Sequence, residues 1–348
     1  MSKPQCGRCG KMAAAEDRFC TKCGAELSGN GSSSIPSELA PWTGHSAPVT
    51  SLAISSDGSR LLSGSEDGTA RLWDSSTGRE VLRLDGSGLP VTSVGFSPDQ
   101  SRAIAASSSD DRVRLFNLAG GTYLGSLAGH ASFVSSIAWS PDGRTIWSDS
   151  SDMTVRVWDA ISGAELRRLK GHANDISCVG VSPDGRWAAS GSLDETVRLW
   201  EPSTGRLVAV LGDDDNRFRG MFHALAFSPD SRWLVACTLS ADVFLWEVGT
   251  AREIRRFDGH TGNVFAVAWT SDGRRIVTAS GTDFWDDDMR KEHGTDNTCR
   301  VWDVASGMEV QRYAGHSGNV NAVACTPDGS SCFSAGKEGT IHRWPLNS

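Results

Sequence analysis

The sequence predicts an all-β fold in which seven four-stranded antiparallel sheets follow one another around a closed ring. Three observations carry this expectation. Units such as GHSAPVTSLAISSDGSRLLSGSEDGTARLWD, GHASFVSSIAWSPDGRTIWSDSSDMTVRVWD and GHANDISCVGVSPDGRWAASGSLDETVRLWE recur at a period of about 42 residues, and two weaker copies in the gaps bring the total to seven. Within a unit, short alternating apolar runs are separated by turn formers: VSSIAW, SPDG, TIWSDS, SD, TVRVW, then a turn at Ser-Gly or Thr-Gly and a fourth run such as AELRRL. A single such sheet cannot bury both of its faces, so neighbouring sheets must pack face to face, and closing the ring removes unpaired ends.

The Gly-His start, the Ser-Pro-Asp-Gly turn and the Trp-Asp end of each unit resemble the Trp-Asp (WD) repeat family, over roughly nine tenths of the chain. The resemblance implies a seven-bladed β-propeller. It also implies that a His, a Ser or Thr, an Asp and a Trp form a buried hydrogen-bonded network in each blade. The matching sets are His45, Ser63, Asp67 and Trp73; His130, Ser148, Asp152 and Trp158; His172, Ser190, Asp194 and Trp200; His260, Thr278, Asp296 and Trp302. The seventh set, His316, Ser334, Glu338 and Trp344, has Glu where Asp is usual. A mixture of His, Ser and Asp invites a hydrolase reading, but a catalytic triad is needed once and a blade staple in every blade. Blades two and five carry Ala106 and Ala236 at the hydroxyl position, and blade two has Phe116 for Trp, so apolar packing is expected to hold them.

The last unit stops after its third strand, at RWPLNS. Leu39 and Trp42 precede His45 at the offsets by which Leu166 and Leu169 precede His172, so Glu38 to Thr43 should supply the missing outer strand. Pro36 and Pro41 suit an outer edge, where an amide can be spared. The ring is thus expected to close by pairing N-terminal with C-terminal chain, and the propeller to span residues 38–348.

In front of it, Cys6, Cys9, Cys20 and Cys23 are spaced C-x2-C-x10-C-x2-C, with Gly10 and Gly24 after the second cysteine of each pair. Two such turns present four thiolates to one tetrahedral Zn2+, and the pattern resembles the short zinc ribbons found fused to unrelated bacterial domains. A structural ion is expected, because residues 1–26 cannot build a core and metal binding would supply the folding energy. A pair of redox-active C-x-x-C motifs is the competing reading. A nucleic-acid contact would need more than the +2 balance and the single aromatic, Phe19, of this segment. Residues 27–37, a polar Gly/Ser stretch, read as a flexible linker. The five other cysteines show no framework spacing and read as reduced core residues.

Composition narrows the function. With 39% hydrophobic and 22% charged residues the chain reads as an ordinary globular protein. It has no apolar run long enough to span a membrane and no apolar stretch like a secretory signal, so a cytoplasmic location is expected. The formal charge is −8, and −10 once residues 1–26 are set aside, which disfavours nucleic acid as a partner of the ring.

Two irregularities mark one edge of the ring. Unit six carries about fourteen extra residues within 281–294, and unit five reads GDDDNRFRGMF where Gly-His is expected. The family resemblance puts both on the rim that carries the His and Asp loops, the top. They offer Asp213, Asp214, Asp215, Asp283, Asp286, Asp287 and Asp288 with Phe218, Phe284 and Trp285, an acidic and aromatic rim suited to a basic or aromatic-bearing peptide. Lengthening a loop from about 4 to 18 residues costs only about 1.3 kcal/mol in closure entropy, so a solvated ornament is the alternative. A metal at His293 and its acidic neighbours would match no Ca2+ loop. Phe133 and Leu193 are further apolar candidates on the same face. The leading expectation is a non-catalytic protein-interaction scaffold, monomeric by default, with the ribbon as a second contact module. A nucleic-acid-associated factor acting through the ribbon and a propeller-based hydrolase or lyase are the alternatives.

Overall fold

The computed structural model describes residues 40–85, 88–212, 220–282 and 296–347. Their strands fall in chain order into seven sheets, six of four strands and a last one of three, every neighbouring pair antiparallel. The first blade shows the plan, with strands Val49–Ile54, Arg60–Ser65, Thr69–Asp74 and Glu80–Asp85 running from the axis outward. Sheets cover both of its faces, so its middle strands are buried without alternation, from Leu61 to Ser65 and from Thr69 to Trp73, while its outermost strand exposes Glu80 and Val81. Small side chains let the sheets approach closely. A Cβ on Gly64 would lie 2.6 Å from Val91 Cγ1 of the next blade, so a larger residue there would force the seam apart.

Leu62, Ala70, Leu72, Leu84, Val91, Ala103 and Phe116 fill the first seam, and similar clusters fill the others. The innermost strands pack one on the next around the axis, and Val320–Cys325 packs on Val49–Ile54 to complete the circle. In six blades the innermost strand carries a bulge beside its first core residue, between Val49 and Ser51 in blade one and at the matching place in blades two, four, five, six and seven. An extra residue at that point increases the local twist, which the crowded axis requires.

Blade three departs from this. Its innermost strand is only Ile137–Trp139, and Asp149 stands where the other blades have Gly, Ala or Cys. The Asp149 carboxylate accepts from the Ser136 backbone N–H at 2.6 Å, while its other oxygen is buried without a hydrogen-bond partner. Burial pushes this carboxyl well above its ordinary range, which favours the neutral acid.

Of the outer strand expected over Glu38 to Thr43, the described residues make one bridge, Trp42 N–H to Ile341 O at 2.8 Å and Ile341 N–H to Trp42 O at 3.1 Å. Because Trp42 and Ile341 exchange both bonds, position 41 faces away from the partner strand and spares the amide that Pro41 lacks, while residues 38 and 39 lie outside the described part. Packing supports the bridge. The Trp42 ring lies 5.1 Å from Phe333 and 6.1 Å from Trp73, which joins the last blade to the first.

Trp42→Ala is expected to lower stability by about 3–5 kcal/mol, read as a reduced denaturation midpoint, because it removes the ring that fills the closing seam. For Asp149→Asn the comparison is made across pH. The folded carboxyl titrates above the unfolded one, so wild-type stability falls as pH rises from about 4 toward the folded value. The melting temperature of the variant minus that of the wild type should therefore grow from pH 4 to pH 8, and a flat difference would mean that Asp149 is ionised in the fold.

Candidate functional site

Each complete blade brings its four marked side chains together. The imidazole Nδ1 lies against the carboxylate at 2.9 Å for His45 and Asp67, 2.9 Å for His130 and Asp152, 2.8 Å for His172 and Asp194 and 2.9 Å for His260 and Asp296. The imidazole Nε2 meets the hydroxyl of Ser63, Ser148, Ser190 or Thr278 at 2.6 to 2.8 Å. The indole N–H of Trp73, Trp158, Trp200 or Trp302 donates to the same hydroxyl at 2.8 to 2.9 Å. One proton arrangement satisfies all of this: Nδ1–H donates to the carboxylate, and the hydroxyl accepts from the indole while donating to Nε2. In blade seven His316, Glu338, Ser334 and Trp344 make the same contacts.

The carboxylates also tie two loops together, accepting the backbone N–H of Ser46, Ala131, Ala173 or Thr261 from the loop that carries the histidine. Burial pushes the Asp67 carboxyl up, but hydrogen bonds from Thr69, His45 and Ser46 outweigh it and hold the group well below the ordinary range. Asp152, Asp194 and Asp296 behave alike. In blades one, three and six an arginine completes the charge balance: Arg71 reaches Asp67 and Glu80, Arg156 reaches Asp152 and Glu165, and Arg300 reaches Asp296 and Glu309.

This arrangement cannot act as a hydrolase. Ser63, Ser148, Ser190, Thr278 and Ser334 are each 0% exposed, so no substrate reaches the hydroxyls. The axis of the ring holds a cavity of about 670 Å3. On its early blades the lining is hydroxylic, but those groups join neighbouring strands: Thr50 and Thr92 donate to the carbonyls of Val91 and Val134, and Ser51 accepts from the Val94 N–H. Later blades present His223 edge-on to Phe265, with ring centroids 5.6 Å apart, and burial lowers the histidine to about 4. Cys178 also lines the cavity, and burial raises its thiol far above the range of a nucleophile.

The top rim around this cavity is built by a backbone hydrogen bond repeated in all seven blades. In blades one, three, four, five and seven it runs from Glu66, Ser151, Leu193, Leu239 and Lys337 to the carbonyls of Pro48, Phe133, Asp175, Met221 and Asn319. Phe133 is 52% and Met221 40% exposed, with Leu193 and Leu239 half-buried, so three successive blades carry apolar groups at matching rim positions. Phe133 and Leu193 were candidates from the sequence. Met221 and Leu239 were not, although each occupies the same place in its repeat as Phe133 or Leu193 does. Asp213, Asp214, Asp215, Phe218, Asp283, Phe284, Trp285, Asp286, Asp287 and Asp288 lie outside the described residues, as do Cys6, Cys9, Cys20 and Cys23.

A closed ring of seven sheets, five of them pinned at the rim by the same His–hydroxyl–carboxylate–Trp network, defines a repeat propeller whose loops face one shared mouth. The family model for the WD domain, G-beta repeat (WD40), matches residues 36–74, 78–117, 121–159, 163–201, 205–247, 251–303 and 307–345, and the chain belongs to that family. Among curated proteins it is similar to the small ribosomal subunit protein RACK1y of Oryza sativa subsp. japonica, 36% identical over 89 residues. It is similar in the same way to the small ribosomal subunit protein RACK1 of Neurospora crassa, 35% identical over 89 residues, and to MST50-interacting protein 11 of Pyricularia oryzae, 43% identical over 54. The matches cover 26%, 26% and 16% of this chain and 23%, 24% and 17% of those proteins, about a quarter of their length or less.

Ser148→Ala would leave His130 Nε2 and Trp158 Nε1 facing a methyl group. A loss of about 1–3 kcal/mol for each buried group left unpaired is expected from chemical denaturation. Phe133→Ala, on the rim, should change stability by less than about 0.5 kcal/mol.

Proposed function

We propose that this propeller is a non-catalytic platform that binds protein partners through its top mouth. The observation that carries the reading is the apolar arc on blades three to five, Phe133, Leu193, Met221 and Leu239, beside an axial cavity whose hydroxyl, thiol and imidazole groups show no activated nucleophile. Exposed apolar groups clustered on a rigid rim are the usual anchors of an interface, with charge supplying steering. The segments 213–219 and 283–295 adjoin this rim in sequence, at Gly212 and Gly220 and at Thr282 and Asp296. Their aspartates and aromatics, Phe218, Phe284 and Trp285 among them, would extend the arc toward a basic or aromatic-bearing peptide. Relatives named as small ribosomal subunit proteins, or for interacting with another protein, are consistent with holding partners together.

The N-terminal cysteines add a second element to the proposal. Cys6, Cys9, Cys20 and Cys23 would hold one structural Zn2+ and make residues 1–26 an accessory contact module. No helix among the described residues is long and apolar enough to cross a membrane, and the platform is proposed to work in the cytoplasm.

The test is affinity capture from the native host's lysate with three baits: the intact chain, a chain with residues 281–294 replaced by a short Gly-Ser turn, and Phe133→Asp with Met221→Asp. All three should share one melting temperature. The intact chain is expected to retain a protein that the rim variant loses, and loss from the loop variant too would extend the site to blade six. Equal capture by all three would remove the top mouth as the binding site.

A further inference from the structure

Blade seven differs from its siblings at two positions that touch each other. Glu338 stands where four blades have a tetrad Asp, and His342 stands where blades one, three and six place the arginine that neutralises it. The ion-pairing neighbours of Glu338 are therefore two histidines, His316 through Nδ1 and His342 through Nε2 at 3.6 Å. One Glu338 oxygen, Oε2, is buried with no hydrogen-bond partner. Two imidazoles thus stand where Asp67, Asp152 and Asp296 have a guanidinium.

The same three residues are metal donors. Among the described residues they form the one group of His, Cys, Asp or Glu whose ligand atoms all lie within 4.8 Å of one another. We propose that blade seven binds a divalent transition-metal ion of the zinc type through His316 Nδ1, the Glu338 carboxylate and His342 Nε2. Two imidazoles and a carboxylate are a common zinc donor set, which leaves a fourth position for water.

The outer hydrogen bonds fit this use. A metal-binding histidine holds its orientation by donating its second ring N–H to an oxygen. His316 has Ser334 Oγ 2.7 Å from Nε2, and His342 has the Tyr313 hydroxyl 2.9 Å from Nδ1, so both rings are fixed from behind with the other nitrogen turned toward Glu338. The two rings are in contact, with centroids 4.2 Å apart, and both approach the same Glu338 oxygen, Oε1. Thr340 Oγ1, 3.0 Å from His342 Nε2, is the group an ion would displace or gain as a further oxygen donor. Side-chain exposures of 11% for His342 and 17% for Glu338 leave a narrow way in.

The experiment counts Zn2+ per chain in the full-length protein after dialysis, for the wild type and for Glu338→Asp combined with His342→Arg. That pair restores the arrangement of blades one, three and six and should fold, which melting without added zinc checks. The variant is expected to hold one Zn2+ fewer than the wild type. Any zinc on the N-terminal cysteines contributes equally to both and cancels in the difference. Co2+ in the blade should add an absorption spectrum without thiolate-to-metal charge transfer, and Tyr313→Phe should weaken Zn2+ binding about 10-fold or more. Equal zinc content in wild type and variant, or a propeller melting temperature that does not rise with Zn2+ in the wild type, would overturn the proposal.

Discussion

A carboxylate held against an imidazole at the rim of a blade is the interaction on which the ring depends. The crossings between blades are short top loops with little apolar surface of their own, so packing alone does not fix their paths. Asp67 and its equivalents solve this by accepting from the imidazole and from the backbone beyond it, which joins the loop entering a blade to the turn between its second and third strands. The imidazole passes the constraint inward, through the hydroxyl, to the buried indole. One network thus couples loop, sheet and core. Five blades carry it, while blades two and five rely on apolar packing around Phe116 and Phe222.

The number of blades, their strands and the tetrad members were legible because each is repeated, and repetition in one sequence stands in for comparison among many. What escaped the sequence was whatever depends on a residue's departure from its siblings. Met221 and Leu239 are ordinary apolar residues until the repeated rim hydrogen bond places them beside Phe133 and Leu193. Asp149 and His342 look like single substitutions, yet one rearranges an innermost strand and the other replaces a buried arginine. The closing contact was legible from the offset of Trp42, which pairs with Ile341 of the last blade, while residues 38 and 39 lie outside the described part.

The ring is not uniform along its axis. Hydroxyls of the early blades bridge adjacent strands, whereas blades five and six replace that belt with an imidazole and a phenyl ring edge to face. A polar staple thus joins the innermost strands of blades one to three, and an aromatic contact takes its place between blades five and six. The longest departures from the repeat, 213–219 and 283–295, belong to those same two blades.

The bridge between Trp42 and Ile341 sets a condition on synthesis. The residue that closes the last blade is made early, and its partner some 300 residues later. At about 5–20 residues per second, Trp42 waits roughly 15–60 s after translation before a closed ring is possible. Bringing the ends of so long a segment together costs about 5 kcal/mol of chain entropy, which the closing seam must offset at a stroke. During that interval the first blade and each newest blade present bare faces and strand edges. A growing chain of this kind is therefore most exposed to mispairing and to capture by chaperones just before its last strand emerges.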